Sequence, residues 1–150
     1  METFPIKTSV VRQAYDYWRS KRDGDRLPRR ADIRPEEIAR LLPYLFLVDV
    51  IGDPPVFRFR LVGTQVNQWA GREYTGVTIN AAEYGPNWRL VHDIYLGVWR
   101  SRAPVYSEYA APWQSRDFLY YERIVAPMSN DGTAVDMLFG ALNVVPRAKS

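Results

Sequence analysis

The chain of 150 residues contains no cysteine and a single histidine, His92. The lack of cysteine excludes disulfide bonds, cysteine-based metal sites and thiol catalysis. Metal sites usually need several converging ligands, and activated nucleophiles are usually paired with a histidine. His92 lies at the edge of the apolar stripe of a predicted helix, and its neighbour Asp93 points about 100° away. We therefore expect His92 to be a boundary residue, and the chain to be non-catalytic.

Phosphate-binding and membrane-spanning segments are also lacking. Gly63 and Gly71 are too widely spaced for a phosphate loop, and no Lys-Ser or Lys-Thr follows them. The longest apolar run, residues 41–48, contains Pro43 and is far shorter than the ~20 residues of a membrane helix. The first residues, METFPIKTSVV, have no apolar core of signal-peptide length. These features predict a cytoplasmic protein with no membrane contact.

The charge excess is small and local. The net charge is +3, and residues 19–40 alone carry eight basic and five acidic side chains. The two signs are interleaved, which indicates a solvated, salt-bridged linker. We therefore expect no specific nucleic-acid binding, with a phosphate-binding patch in this linker as the alternative.

Apolar and aromatic residues are abundant, at 47% and 14% of the chain. A single domain of this length buries roughly 70% of its unfolded surface. Residues 9–22 are predicted to form a helix capped by Thr8 or Ser9, with an apolar stripe at helical spacing made of Val11, Ala14, Tyr15 and Trp18. We expect this helix to lie outside the sheet and to contribute to a homodimer, unless it folds back on its own sheet.

The remaining pattern predicts an α+β fold. Residues 44–51 and 56–62 form the first hairpin, a short helix lies between Gly63 and Gly71, and a long helix covers residues 88–102. Strands follow at 104–110, 117–127 and 135–145, and Asp131-Gly132 is a hairpin signal between the last two. The result is a five-stranded antiparallel sheet covered on one face by helices, with an N-terminal flanking helix and linker (1–34) before the main domain (35–146).

Four segments carry a family resemblance: YWRSKRDGDRLPRRADI, ARLLPYLFLVDV, FRFRLVGTQVNQWAGREYTG and YYERIVAPMSNDG. In combination they resemble a PAS-like family of small, mostly single-domain alphaproteobacterial proteins, over roughly residues 12–145. The resemblance implies a PAS fold and a sensory or protein-interaction role, with other signalling proteins as partners. It implies no agreed ligand, cofactor or catalytic residue, so the cofactor is unknown.

Aromatic side chains cluster on the last three strands and on the helices expected to cover them. In the PAS arrangement these helices close over the sheet, and the residues predicted to line a ligand pocket there are Val66, Trp69, Trp88, Val91, Tyr95, Tyr106, Tyr120 and Phe139. The pocket would be entered beside residues 71–76 and would accept a small uncharged or weakly acidic molecule. Strand alternation does not decide which face is inside, and a completely filled core is the alternative.

Two further alternatives remain. Glu108 and Glu122 lie on neighbouring predicted strands, where surface ion pairs with Arg123 or Arg116 are expected. Cone-shaped α+β folds also host isomerases and dehydratases, so a small enzyme using the same cavity is the second functional hypothesis. Haem binding would depend on His92 alone.

Overall fold

The computed structural model describes residues 3–110 and 120–146. Three helices and five strands follow one another along the chain: α1 (Ser9–Ser20), β1 (Leu45–Ile51), β2 (Val56–Val62), α2 (Thr64–Ala70), α3 (Trp88–Ser101), β3 (Val105–Ala110), β4 (Tyr120–Met128) and β5 (Met137–Val144). Before the sheet, one 3₁₀ turn spans Pro35–Glu37 and a further one, Leu42–Tyr44, leads into β1. The start of the strand predicted at residue 117 lies outside the described residues.

The strands form one antiparallel sheet in the order β2-β1-β5-β4-β3. β1 and β2 form the predicted hairpin, and β4 and β5 form a second one across a loop at residues 129–136 that contains Asp131-Gly132. The arrangement confirms the predicted PAS-like α+β class. β4 and β5 lie near the centre of the sheet, and most of their residues are buried on both faces.

Helix α1 packs against β4 and β5 of its own sheet. The Thr8 hydroxyl caps it by accepting a hydrogen bond from the Val11 amide at 3.3 Å. Its apolar stripe is buried as predicted, and the Trp18 indole N–H donates to the Pro127 carbonyl oxygen at 2.9 Å. The alternative in which the helix folds back on the sheet is therefore the observed one, and the homodimer and the division at residue 34 stay predictions.

A buried carboxylate anchors the segment before α1. Glu122 is 0% exposed, and its carboxylate accepts hydrogen bonds from the backbone N–H groups of Lys7 and Thr8 at 2.8 Å, from the Thr8 hydroxyl, and from the Tyr106 hydroxyl at 2.7 Å. The Lys7 ammonium pairs with Glu108, which lies opposite Glu122 in the register. The expected surface ion pairs with Arg123 are therefore wrong, because strand alternation places Arg123 on the other face.

Helices α2 and α3 cover that other face. Val91, Tyr95 and Val98 form the buried side of α3. Asn87 precedes this helix but makes no capping hydrogen bond with its side chain. His92 has a quarter of its side chain exposed, and its ring contacts the edge of Phe57 at 5.4 Å between centroids, as expected of a boundary residue.

The linker before the sheet carries the predicted ion pairs. Lys21 lies 2.9 Å from Glu37, and Arg34 lies 3.0 Å from Glu36. Within the part of the chain that the structure describes, no helix has the length and apolar character needed to cross a membrane.

Candidate functional site

A cavity of about 50 Å³ lies between the inner face of the sheet and the helices above it. Its walls are mainly apolar and aromatic, with one charged side chain: Phe46, Phe59, Val62, Val66, Ala70, Tyr74, Tyr84, Val91, Tyr95, Tyr109, Arg123 and Leu142. One water occupies ~10–15 Å³ on this scale, so the space holds about four waters. The cavity therefore suits a very small molecule as it stands, and a larger one when a covering element moves.

Helix α2 is the shortest α-helix of the described structure and covers the cavity. It has seven residues, starts at Gly63 without a side-chain cap, and ends at Gly71 in the left-handed region at φ 78°. Val66 is its buried side chain. The Asn67 carboxamide ties it to the next loop by accepting from the Tyr74 amide at 3.0 Å and donating to the Glu73 carboxylate at 2.8 Å. A short helix held by few contacts opens at lower free energy than a central strand.

Arg123 is the charged residue of the cavity wall. It belongs to β4, is 8% exposed, and faces the same side of the sheet as Leu142 and Tyr109. Its Nε donates to the Ser107 hydroxyl at 3.3 Å, and its guanidinium carbon lies 4.5 Å from the centroid of the Tyr109 ring. Among residues 3–110 and 120–146, no carboxylate forms an ion pair with it.

Burial favours the protonated form of the wall tyrosines Tyr84, Tyr95 and Tyr109. Burial raises the pKa of Tyr84 and of Tyr109 to about 12, although the charge of Arg123 acts in the opposite direction. Burial also raises the pKa of Tyr95 above its ordinary value of 10.0. The wall of the cavity is therefore mainly aromatic and apolar, and the Arg123 guanidinium is its charged group.

The structure brings three of the eight predicted pocket residues to this cavity: Val66, Val91 and Tyr95. Trp69 lies beside it and packs edge-on against Tyr121, with ring centroids 5.4 Å apart. Trp88, at the start of α3, contacts His92 and does not line the cavity.

The other three predicted residues face the α1 side of the sheet. Tyr106 donates its hydroxyl to Glu122 and Glu108 on that face. Tyr120 alternates with Tyr121, which is on the face of Arg123, and so shares the face of Glu122. Phe139 lines a second, open cavity of about 390 Å³ between the 3₁₀ turns and the sheet. Sequence alternation left the inner face undecided, and the structure places Tyr121 and Arg123 there.

Sequence analysis missed Arg123 and the tyrosines Tyr74 and Tyr84 as members of the site. One usable signal was the pair Glu122-Arg123 in the middle of the apolar strand YYERIVAPM. Adjacent charges in a strand buried on both faces must point to opposite sides, so one of them had to enter the covered face. Tyr74 and Tyr84 lie in a loop whose path no periodicity predicts.

The side chains of the cavity wall supply groups that can bind a small molecule. In the described ranges, no group of three or more His, Asp or Glu side chains is arranged to hold a metal ion. The cavity wall offers one permanent cation, neutral phenols and apolar surface. Such a set can recognise the shape and charge of a small molecule.

Comparison with known proteins agrees with this geometry. The sequence model of the PAS domain family matches residues 6–143. No curated protein matches the chain at a significant level. The family match covers most of the chain, from before α1 into the last residues of β5, and the five-stranded antiparallel sheet is consistent with a PAS-like fold. The chain is a member of the PAS domain family.

Proposed function

We propose that the chain is a non-catalytic sensor in bacterial signal transduction that binds a small organic molecule in the cavity beneath α2. The observation that carries this proposal is the combination of an apolar cavity with a seven-residue helix above it. A ligand that contacts both the sheet and α2 binds one position of the helix better than another, and it shifts the population of that helix accordingly. PAS domains are in general sensory or interaction modules, which agrees with this role.

The signal would leave the domain through a partner protein. We propose a cytoplasmic location and a signalling protein as the partner. The homodimer stays a prediction, but the α1 stripe no longer supports it because that stripe is buried against its own sheet. Apolar side chains remain exposed elsewhere, including Ile51 and Val56 at the end of the first hairpin, which are 50% and 47% exposed. Light scattering at micromolar concentration gives the oligomeric state, and a monomer would contradict the homodimer.

A screen of small organic molecules by protein-observed NMR tests the proposed function. We expect at least one binder to shift the backbone amides of Val66, Tyr95 and Leu142 in the wild type. Val66→Trp places a larger side chain into the cavity and should abolish those shifts. The proposal fails if the only binders shift surface amides, or if the shifts persist in Val66→Trp.

A small isomerase or dehydratase using the same cavity is the second candidate. The histidine that such a reaction would recruit, His92, contacts Phe57 and Trp88 and does not line the cavity. We therefore expect His92→Ala to leave the signalling output near that of the wild type. A 100-fold loss of output with the fold intact would favour the enzyme.

A further inference from the structure

We infer that the ligand of the cavity is a short-chain organic carboxylate whose two oxygens are held by the guanidinium of Arg123. This inference rests on the proposed function and specifies the chemical class of the ligand. It starts from the isolation of the Arg123 charge inside the protein.

Arg123 carries a positive charge in a buried position, where an unpaired charge is energetically unfavourable. An arginine side chain stays protonated in proteins and carries five N–H donors. The residue is more than nine-tenths buried, and its hydrogen bond in the described residues is the one from Nε to Ser107. Stacking on Tyr109 compensates in part. The guanidinium carries further N–H donors besides Nε, and Arg123 lines the cavity, where a ligand can supply an acceptor.

The carboxylates of Glu122 and Glu108 make their contacts on the other face of the sheet from Arg123. Glu122 precedes Arg123 but accepts its hydrogen bonds from the segment before α1, on the opposite face of the sheet. Glu108 pairs with Lys7 on that same face. The described residues therefore supply no anion to pair with the Arg123 guanidinium, and we infer that a ligand supplies it.

The shape and size of the cavity favour a carboxylate over other anions. The planar guanidinium fork matches two carboxylate oxygens in a bidentate pair. A carboxylate with one or two carbons attached has about four or five non-hydrogen atoms, which agrees with the space of about 50 Å³. A tetrahedral dianion would bring two charges against a single arginine in a mainly apolar wall, whereas a short alkyl chain suits that wall.

A second arginine, Arg72, contacts a residue of the cavity wall. Arg72 lies in the segment between Gly71 and Gly76, and its guanidinium carbon is 4.6 Å from the centroid of Tyr74, which lines the cavity. Arg72 is thus a second cation near the cavity, although the Glu73 carboxylate follows it in the chain. Burial keeps Tyr84 and Tyr109 neutral, while the Glu73 carboxylate next to Arg72 accepts hydrogen bonds from Asn67 and Thr75.

Titration of the ¹⁵N-labelled protein with sodium propionate tests the inference, with sodium chloride exchanged to keep the ionic strength constant. We expect saturable shifts of the amides of Val66, Tyr95 and Arg123. Propionamide, which has the same shape without the charge, should bind at least tenfold more weakly. Arg123→Met should weaken propionate at least tenfold, and Val66→Trp should abolish the shifts.

The outcomes separate this inference from the proposed function. Suppose that propionamide and propionate bind equally well, that Arg123→Met leaves both affinities unchanged, and that Val66→Trp abolishes binding. This result would overturn the carboxylate class, but the proposed function as a sensor that uses the cavity would remain. The absence of saturable cavity shifts with acetate, propionate and butyrate would also overturn the class, while the library screen decides the sensor separately. If Arg123→Met does not fold, Arg123→Lys replaces it: at least a threefold loss is expected, and unchanged affinity contradicts the inference.

Discussion

The ring of Phe46 occupies the space in front of Gly140, its partner in the register of β1 and β5. A Cβ atom built on Gly140 would overlap the end of this ring. Phe46 also forms part of the cavity wall. The absence of a side chain at residue 140 therefore determines where the ring lies, and with it the depth of the cavity.

Gly140→Ala should push the Phe46 ring toward the cavity and destabilise the fold. Extra methyl groups in a packed core typically cost about 1–3 kcal/mol in the free energy of unfolding. Urea unfolding measures the loss. Gly97→Ala on α3 is a matched control, because a Cβ there meets open space and alanine favours a helix by about 0.5–1 kcal/mol. Equal stability of Gly140→Ala and wild type would contradict the packing described for Phe46.

Glu122→Gln should release the segment before α1. The carboxylate accepts hydrogen bonds from four donors on Lys7, Thr8 and Tyr106, whereas a carboxamide turns two N–H donors toward them. A buried donor left unpaired costs about 1–3 kcal/mol. We expect that loss in urea unfolding, together with faster hydrogen exchange of amides 7–12. Glu108→Gln, across the strand and partly exposed, is the control, and an equal loss in both variants would argue against the special role of Glu122.

Glu108 gives a pH dependence with a definite sign. The Lys7 ammonium and then the Tyr106 hydroxyl lower the pKa of Glu108 below its ordinary value of 4.5, and Tyr106 also donates to Glu122 on this face. The stabilisation is therefore present above about pH 4.5 and is lost as the pH falls through the lower, folded-state pKa. The stability difference between wild type and Glu108→Gln should shrink between pH 6 and pH 3. A difference that stays constant over this range would contradict the Lys7–Glu108 contact.

The strands and helices could be predicted because their signals are local. Alternation in VFRFRLV, the glycines Gly63 and Gly71, and the helical spacing in α1 each place an element within a few residues of its observed bounds. The burial of the α1 stripe was also predictable, since four large or apolar side chains at helical spacing need a cover. Whether the cover is another copy or the same sheet depends on tertiary packing, which the pattern does not contain.

The site was predicted only in part, for a physical reason. β4 is covered on both faces, by α1 on one and by α2 and α3 on the other, so both faces carry aromatic residues and hydrophobicity does not distinguish them. Tyr106 and Phe139 were assigned to the cavity on that basis and lie on the α1 face. The segment before α1 binds the Glu122 carboxylate, so Glu122 lies on the α1 face. Because adjacent residues of a strand point to opposite faces, Arg123 lies on the cavity face.

Arg123→Met should raise the free energy of unfolding by about 1 kcal/mol or more, because it removes a buried charge that has no ion-pair partner in the described residues. The residue would thus be retained for binding at the expense of stability. Urea unfolding at pH 7 measures the change. Arg60→Met is the control on the exposed side of β2, where a surface pair with Asp49 contributes at most about 1 kcal/mol. A clear loss of stability in Arg123→Met would mean that the guanidinium has a structural role.

Native-state hydrogen exchange of α2 tests most directly whether this helix is a mobile cover of the cavity. Amide exchange is followed at increasing, sub-denaturing urea for the amides of Asn67–Gly71 and for those of β5. We predict that the α2 amides exchange through a local opening, with a free energy several kcal/mol below that of β5 and little urea dependence. If α2 and β5 exchange with the same free energy and the same urea dependence, α2 opens only when the whole domain unfolds, and the sensor mechanism proposed for this cavity is wrong.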